Sequence, residues 1–424
     1  MPHGSQPRHL FGYASLAILL LADVAQAADW PQFLGPARNG ISAESDLILQ
    51  WPADGPKVLW RVEGGAGMSG VAILNGRAIT LIQTDGDQIV LVLDATTGKT
   101  LQAVPVAPEF DNPMGAGPRA TPALAGDRAY VYTGEGILAA VDVKDGKVVW
   151  SHDVVSELGG KPAEYGMACS PLLLGDNVIV TAGASRGTVA AFDAATGKPA
   201  WQAVAGNGRD TAGYSSPALL NVGDEQQLVA FEGKAAIGLA PATGKLLWRY
   251  PYVTDYDCNI ATPISVDGKV FISSGENHGS TLLDIVKTGD SYKATVAWES
   301  QGPKSVLRTE WQTALLHDGH LYGFDNVGSA GPVTHLTCVE AATGKRKWQE
   351  LRFGKGNLIL ADGKLFATTM QGELVVIKAS PEKYEELGRQ TLLRSTRQAP
   401  ALANGMLYLR DDREIVCVNV KAGN

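Results

Sequence analysis

Asp193-Ala194-Ala195-Thr196-Gly197-Lys198-Pro199-Ala200-Trp201 is a phrase that this chain repeats. Asp94-Ala95-Thr96-Thr97-Gly98-Lys99 and Glu340-Ala341-Ala342-Thr343-Gly344-Lys345-Arg346-Lys347-Trp348 match it closely. Looser copies run from Asp142 to Trp150 and from Ala240 to Trp248. A unit that recurs about every 50 residues and ends on Gly-Lys and often an aromatic points to radial repetition of one small sheet.

Outward from that phrase the same internal order returns. A Ser-Pro or Thr-Pro opens an apolar run at Thr121-Pro122, Ser170-Pro171, Ser216-Pro217 and Thr262-Pro263, where a proline at the start of a strand removes no needed donor. Next comes a tight turn: Asn75-Gly76, Asp267-Gly268, Asp318-Gly319, Asp362-Gly363 and Asn404-Gly405 are the dipeptides that take positive φ in two-residue hairpins. Alternating β-branched strands such as Val178-Ile179-Val180-Thr181 follow, and the Thr-Gly-Lys turn launches a fourth strand carrying Trp150, Trp201, Trp248, Trp298 or Trp348. Helical periodicity of useful length is absent after the leader, so each period reads as one four-stranded antiparallel blade.

First strands begin near Ser69, Thr121, Ser170, Ser216, Thr262, Thr313, Asn357 and Ala399, which makes eight blades. The eighth runs through Ile415-Val416-Cys417-Val418-Asn419-Val420 without a Trp-bearing fourth strand. Lys57-Val58-Leu59-Trp60-Arg61-Val62 reads like that missing strand. The expected fold is therefore an all-β, eight-bladed propeller over residues 57–424, closed by an N-terminal strand near Lys57 to Val62 that protects edges otherwise exposed.

These repeats resemble the PQQ-type (pyrroloquinoline-quinone-type) β-propeller repeat of the quinoprotein alcohol dehydrogenase-like superfamily. Non-enzymatic exported propellers share it, among them the propeller subunit of the outer-membrane β-barrel assembly machinery. Trp30-Pro31-Gln32-Phe33-Leu34-Gly35-Pro36-Ala37-Arg38-Asn39-Gly40 resembles a lead-in block of secreted members, and residues 28–56 are expected to pack as an apolar plug across one propeller face. If the resemblance extended to chemistry, it would imply PQQ with calcium and a tryptophan stacked on the quinone. Trp311 is the residue that could carry that role. Quinoprotein alcohol dehydrogenases also carry adjacent cysteines, and no Cys-Cys occurs here.

Destination and surface chemistry follow from the rest of the chain. Arg8 and His9 precede an apolar run from Leu10 to Leu21, too short to span a bilayer, and Ala25-Gln26-Ala27 supplies small residues for cleavage. Residues 1–27 thus read as a signal peptide, which implies a periplasmic or secreted protein. No cysteine follows the run to take a lipid, unlike the lipid-anchored assembly subunit, and no membrane-spanning segment is expected in the mature chain. A formal net charge of −8, scattered along the sequence, argues against nucleic acid and anionic membranes as partners. A closed ring needs no second copy to cover its edges, so a monomer is expected. Cys169, Cys258, Cys338 and Cys417 fall on blades too far apart for any matched pair to approach within about 7 Å, so four free thiols are expected.

Catalytic signals are thin. Lys99, Lys198, Lys245 and Lys345 follow glycines as turn residues, and no His-Glu-x-x-His occurs. His317 and His320 flank one hairpin turn but lack a third metal ligand. Asp85-Gly86-Asp87 and Asp411-Asp412 read as solvated hairpin tips rather than a calcium site. The irregular positions lie just before the inner strands, where most blades place Gly, Ala or Ser. Arg119, Tyr214, Asn259, Glu310, Trp311 and Arg397 are large or hydrogen-bonding there, with Lys355 and Arg308 close by. Aromatics beside paired charges suit a polar small molecule or the end of an extended peptide. The chain is thus expected to be a non-catalytic binding propeller with a protein, peptide or saccharide partner and no cofactor or metal. A PQQ-dependent dehydrogenase working from the channel mouth is the alternative.

Overall fold

A computed structural model of the chain describes Met1 and residues 29–48, 55–206, 211–328 and 333–423. Apart from Met1, the expected signal peptide lies outside the described residues. Eight sheets of four antiparallel strands each follow one another around a ring. The first blade comprises Ala72–Leu74, Arg77–Thr84, Asp87–Asp94 and Thr100–Pro108, and the next six repeat that order. The eighth is built from Ala401–Ala403, Met406–Arg410 and Glu414–Asn419, and its fourth strand is Val58–Glu63 from the other end of the chain. Trp60 pairs with Cys417 and Val62 with Ile415. The expected closure is thereby realised.

Local sequence explains the blades. Asn75, Asp267, Asp318, Asp362 and Asn404 all have positive φ between 45° and 59°, and each is followed by a positive-φ glycine, the geometry of a type I′ hairpin turn. In the Thr-Gly-Lys turns an acidic side chain folds the loop. Asp94 Oδ1 accepts from the Thr96 and Thr97 amides and from the Thr97 hydroxyl, and Asp193 Oδ1 does the same for Thr196. Glycine is required next because an indole lies against it. A Cβ on Gly197 would stand 2.8 Å from Trp150, and one on Gly98 equally close to Trp60.

The indole belongs to the preceding blade, so the phrase is an inter-blade lock. Trp60 donates to Ala95 O, Trp150 to Ala194 O and Trp298 to Ala341 O, at 2.9–3.0 Å. Burying such a side chain contributes on the order of 2 kcal/mol per seam. Other seams depart from the pattern. In the first blade Gln102 occupies the tryptophan's place and donates to Lys144 O of the second. Trp248 has no Thr-Gly-Lys turn to meet, because the fifth blade replaces it with a long hairpin, Gly279–Thr288 with Ser291–Gln301. Its indole turns inward to Gln227 instead.

Near the channel the Ser/Thr-Pro positions form a second lock. Gly70 N donates to the Thr121 hydroxyl, Thr121 N to Ser170, Ser170 N to Ser216 and Thr262 N to Thr313. At these four seams a blade's hydroxyl thus caps an amide of its predecessor, whereas the Thr262 hydroxyl of the fifth blade makes no such bond. Arg410, fully buried, fastens the closing seam, donating to the Thr80 hydroxyl and to the carbonyls of Leu81, Gly64 and Gly65.

Two expectations need correction. The lead-in does cross one face, with Trp30 bridging Ile73 and Ile41 bridging Leu360, yet its centre is not apolar. Arg38, 5 % exposed, reaches into the channel and donates to Pro217 O at 2.8 Å, Pro171 O at 2.9 Å and Ser170 O at 2.5 Å. Proline and serine carbonyls at the blade starts have no strand partner on that side, and a five-donor guanidinium satisfies three at once. Asp411 is no solvated tip either. It is fully buried and accepts from the amides of Arg394, Arg413 and Glu414, holding the turn from within. The four cysteines are free, three buried and Cys258 half-buried.

Candidate functional site

With Arg38 and Phe33 closing one end, the channel is a blind cavity of about 600 Å³ that opens at the other face. That volume is in the range of small-molecule sites. Its lower wall is the belt of Thr121, Ser170, Ser216 and Thr313, and its rim carries Arg119, Tyr165, Tyr214, Glu276, Trp311 and Arg397. Inner strands start at this rim and run towards the plug, so the residue preceding each strand points into the mouth.

Five of the six candidate residues meet there. Trp311 lies under two cations, Lys355 Nζ at 4.7 Å and Arg397 Cζ at 5.2 Å from its ring centre. Lys355 also pairs with Glu310 at 2.7 Å, and both are largely buried. Burial pushes the Glu310 carboxyl up, and the Lys355 charge opposes that rise. Arg119 is clamped by carbonyls, donating to Tyr165 O at 2.9 Å, Gly115 O at 2.7 Å and Gly117 O, and it stacks over Phe110. Tyr214 stacks on Tyr165 at 5.8 Å, and its hydroxyl accepts from the Tyr165 amide. Arg397 donates to Met114 O at 2.6 Å.

Asn259 does not face the cavity. Fully buried, it donates to Glu232 O and Tyr252 O while its own Oδ1 accepts from Thr254. Arg308, two residues before Glu310, is likewise absorbed by the fold. It forms a bidentate pair with the buried Asp325 at 2.6 and 2.7 Å. Sequence reading missed Tyr165, Glu276 and Asp255 on the rim, because they lie in connections that break the repeat register. Cys258 lines the cavity too, but burial pushes its thiol up to about 12, which keeps it protonated.

Gly183-Ala184-Ser185-Arg186-Gly187 matches a nucleophile elbow in letters only. It is a hairpin between the strands Asn177–Ala184 and Gly187–Asp193, and Ser185 Oγ donates to Gly159 O; an elbow needs a strand-to-helix turn. Among the described residues no three His, Cys, Asp or Glu side chains are grouped to hold a metal ion. The donor set fits a calcium-bound quinone poorly. Calcium takes 6–8 oxygens, and of the acidic side chains on the rim Glu310 is tied to Lys355 and Asp255 is 79 % exposed, which leaves Glu276.

Comparisons with known proteins agree with the fold. A family model described as outer membrane protein assembly factor BamB matches residues 86–350 and 333–424. Quinohemoprotein alcohol dehydrogenase ADH IIB of Pseudomonas putida is 38 % identical over 101 residues, 23 % of this chain and 14 % of that protein. The dehydrogenase subunit of a quinone alcohol dehydrogenase from Gluconacetobacter polyoxogenes is 40 % identical over 82 residues, 18 % of this chain and 11 % of that one. These matches thus span only a small part of either curated relative. BamB from Moraxella catarrhalis superposes with a TM-score of 0.61 at 16 % identity, covering 86 % of this chain and 99 % of that one. Quinohemoprotein alcohol dehydrogenase from Comamonas testosteroni gives 0.68 at 15 % identity, covering 93 % and 81 %. At such identities the superpositions speak for the propeller alone. Because the family model matches most of the chain, the protein belongs to the PQQ-type propeller-repeat family described as outer membrane protein assembly factor BamB.

Proposed function

We propose that this chain is an exported, non-catalytic propeller that captures a protein, peptide or saccharide partner at the open mouth of its channel, without a cofactor. The observation that carries this reading is the rim itself. Trp311 lies with its face under Lys355 and Arg397, next to the stacked Tyr165 and Tyr214, above a cavity with a closed floor. Rigid aromatics with adjacent charges are what binding hot spots use. Export is supported by the leader-like residues 1–27, and no helix among the described residues is long and apolar enough to cross a membrane.

The test is crosslinking in the intact cell envelope. A Trp311→Ala, Arg397→Ala double variant should fold with unchanged circular dichroism and lose the adducts formed by the parent protein. Adducts that persist would place the binding face elsewhere. The short matches to quinone alcohol dehydrogenases favour a second reading, a PQQ-dependent dehydrogenase. Titration with pyrroloquinoline quinone and calcium, read by absorbance and melting temperature, should give no saturable change. Saturable binding with dye-linked alcohol oxidation would replace the first reading by the second.

A further inference from the structure

Charges around the mouth are sorted by side. Arg119 and Arg397 stand at the entries to the second and eighth blades, flanking the first, whereas Glu276 lies in a turn of the fifth blade, across the ring. Glu310 and Lys355 neutralise one another between the two sides. What is left is a cationic wall facing an anionic one, formed by Glu276 with the more exposed Asp255 beside it. Neither guanidinium on the cationic wall forms a direct ion pair with a carboxylate among the described residues, although Glu135 lies near enough to Arg119 to act on its charge. Arg119 uses three of its donors on carbonyls, but Arg397 uses one, on Met114 O, and keeps the others for the cavity. Burial pushes Arg119 down to about 10; the nearby Glu135 charge opposes that fall, and the adjacent Arg397 charge adds to it.

Glu276 is equally unanswered. Its amide donates to Asn326 Oδ1 and its backbone sits at φ 53°, while its carboxylate has no ion pair or hydrogen bond among the described residues. Next to it Asn277 accepts from the Gly328 amide at 2.9 Å, which fixes the turn. A neutral saccharide would leave both walls uncompensated, and a polyanion would set like charge against Glu276. A ligand with one charge of each sign satisfies both.

We infer that the mouth takes a zwitterionic ligand, a short peptide with free termini, its carboxylate on Arg397 with Arg119 behind and its ammonium on Glu276. The inference rests on the mouth being the binding face. The peptide's apolar body would lie along Trp311 and the Tyr165–Tyr214 stack. A free dipeptide or tripeptide and the two charged ends of a longer chain present the same chemistry, and length separates them.

Calorimetry with the purified protein and the tripeptide Ala-Phe-Ala provides the test, alongside its N-acetylated, C-amidated and doubly capped forms and a ten-residue peptide with free ends. Each cap should weaken binding by at least about tenfold, as expected for one charge-assisted contact. Arg397→Gln should abolish the sensitivity to amidation only, and Glu276→Gln the sensitivity to acetylation only, with melting temperatures unchanged. Equal affinity for all capped forms, or no binding of any peptide at millimolar concentration, overturns the inference. If no peptide binds while the Trp311/Arg397 variant still loses its crosslinks, the mouth remains the binding face and only the zwitterion is wrong. If crosslinks persist as well, both readings fall.

Discussion

Arg38 and Arg397, at opposite ends of the channel, are held in opposite ways, while Arg119 at the open end is clamped by carbonyls much as Arg38 is. At the plugged end Arg38 is buried and answered by three carbonyls at 2.5–2.9 Å. At the open end Arg397 has one carbonyl and a cavity before it, and no carboxylate among the described residues answers it. The difference separates a structural arginine from one free to recognise a ligand. A guanidinium whose donors are consumed holds blades together, and one with donors left over is available to something that is not yet there. Arg308 belongs with the first kind, since Asp325 takes it bidentately.

Breaking the plugged end should have the largest effect. Arg38→Ala leaves the carbonyls of Ser170, Pro171 and Pro217 without their donor and should cost about 3 kcal/mol, measured as a lowered urea midpoint with unchanged slope. A loss below about 1 kcal/mol would mean that water replaces the guanidinium and that the plug is dispensable.

Lys355→Met should have an intermediate effect, and one that depends on pH. It removes the charge that opposes the burial-driven rise of Glu310, for a penalty of roughly 1–2 kcal/mol at pH 8. A carboxyl whose folded pKa lies above its unfolded value binds more protons when folded, so stability falls as pH rises through that window. The penalty should therefore shrink as pH drops towards the ordinary carboxylate value of 4.5. Urea melts of variant and parent at pH 5 and pH 8 check the sign, and a penalty that grew on acidification would exclude the uncompensated-carboxylate account.

Arg397→Ala should change stability least, by less than about 0.5 kcal/mol, because only the contact to Met114 O and the Trp311 face are lost. The same melts measure it. A cost comparable to that of Arg38→Ala would erase the distinction between the two ends.

Much of this molecule was legible in its sequence, for reasons that can be named. The Thr-Gly-Lys phrase was readable because each of its letters acts locally. An acid folds the turn, a glycine supplies positive φ, and an indole needs that glycine's missing Cβ. The Asn-Gly and Asp-Gly turns were readable on the same ground, and the count of first strands exposed the missing one that Val58–Glu63 supplies. The rim was half legible. Arg119, Tyr214, Glu310, Trp311 and Arg397 stood out because the repeat showed what a regular blade puts in their places. Asn259 occupies an equivalent position yet turns into the protein, since side-chain direction in an irregular connection obeys its hydrogen bonds rather than its register.

By itself the sequence determined the eight-bladed ring, its closure and its turns, since those depend on backbone conformations that short motifs impose. Only the tertiary structure decided which charges are answered. Arg38 meets Ser170, Pro171 and Pro217 across more than 130 positions of sequence, and Arg410 reaches Thr80 across 330. Whether a guanidinium is saturated or open is set by groups that chain distance cannot bring together and ring geometry does.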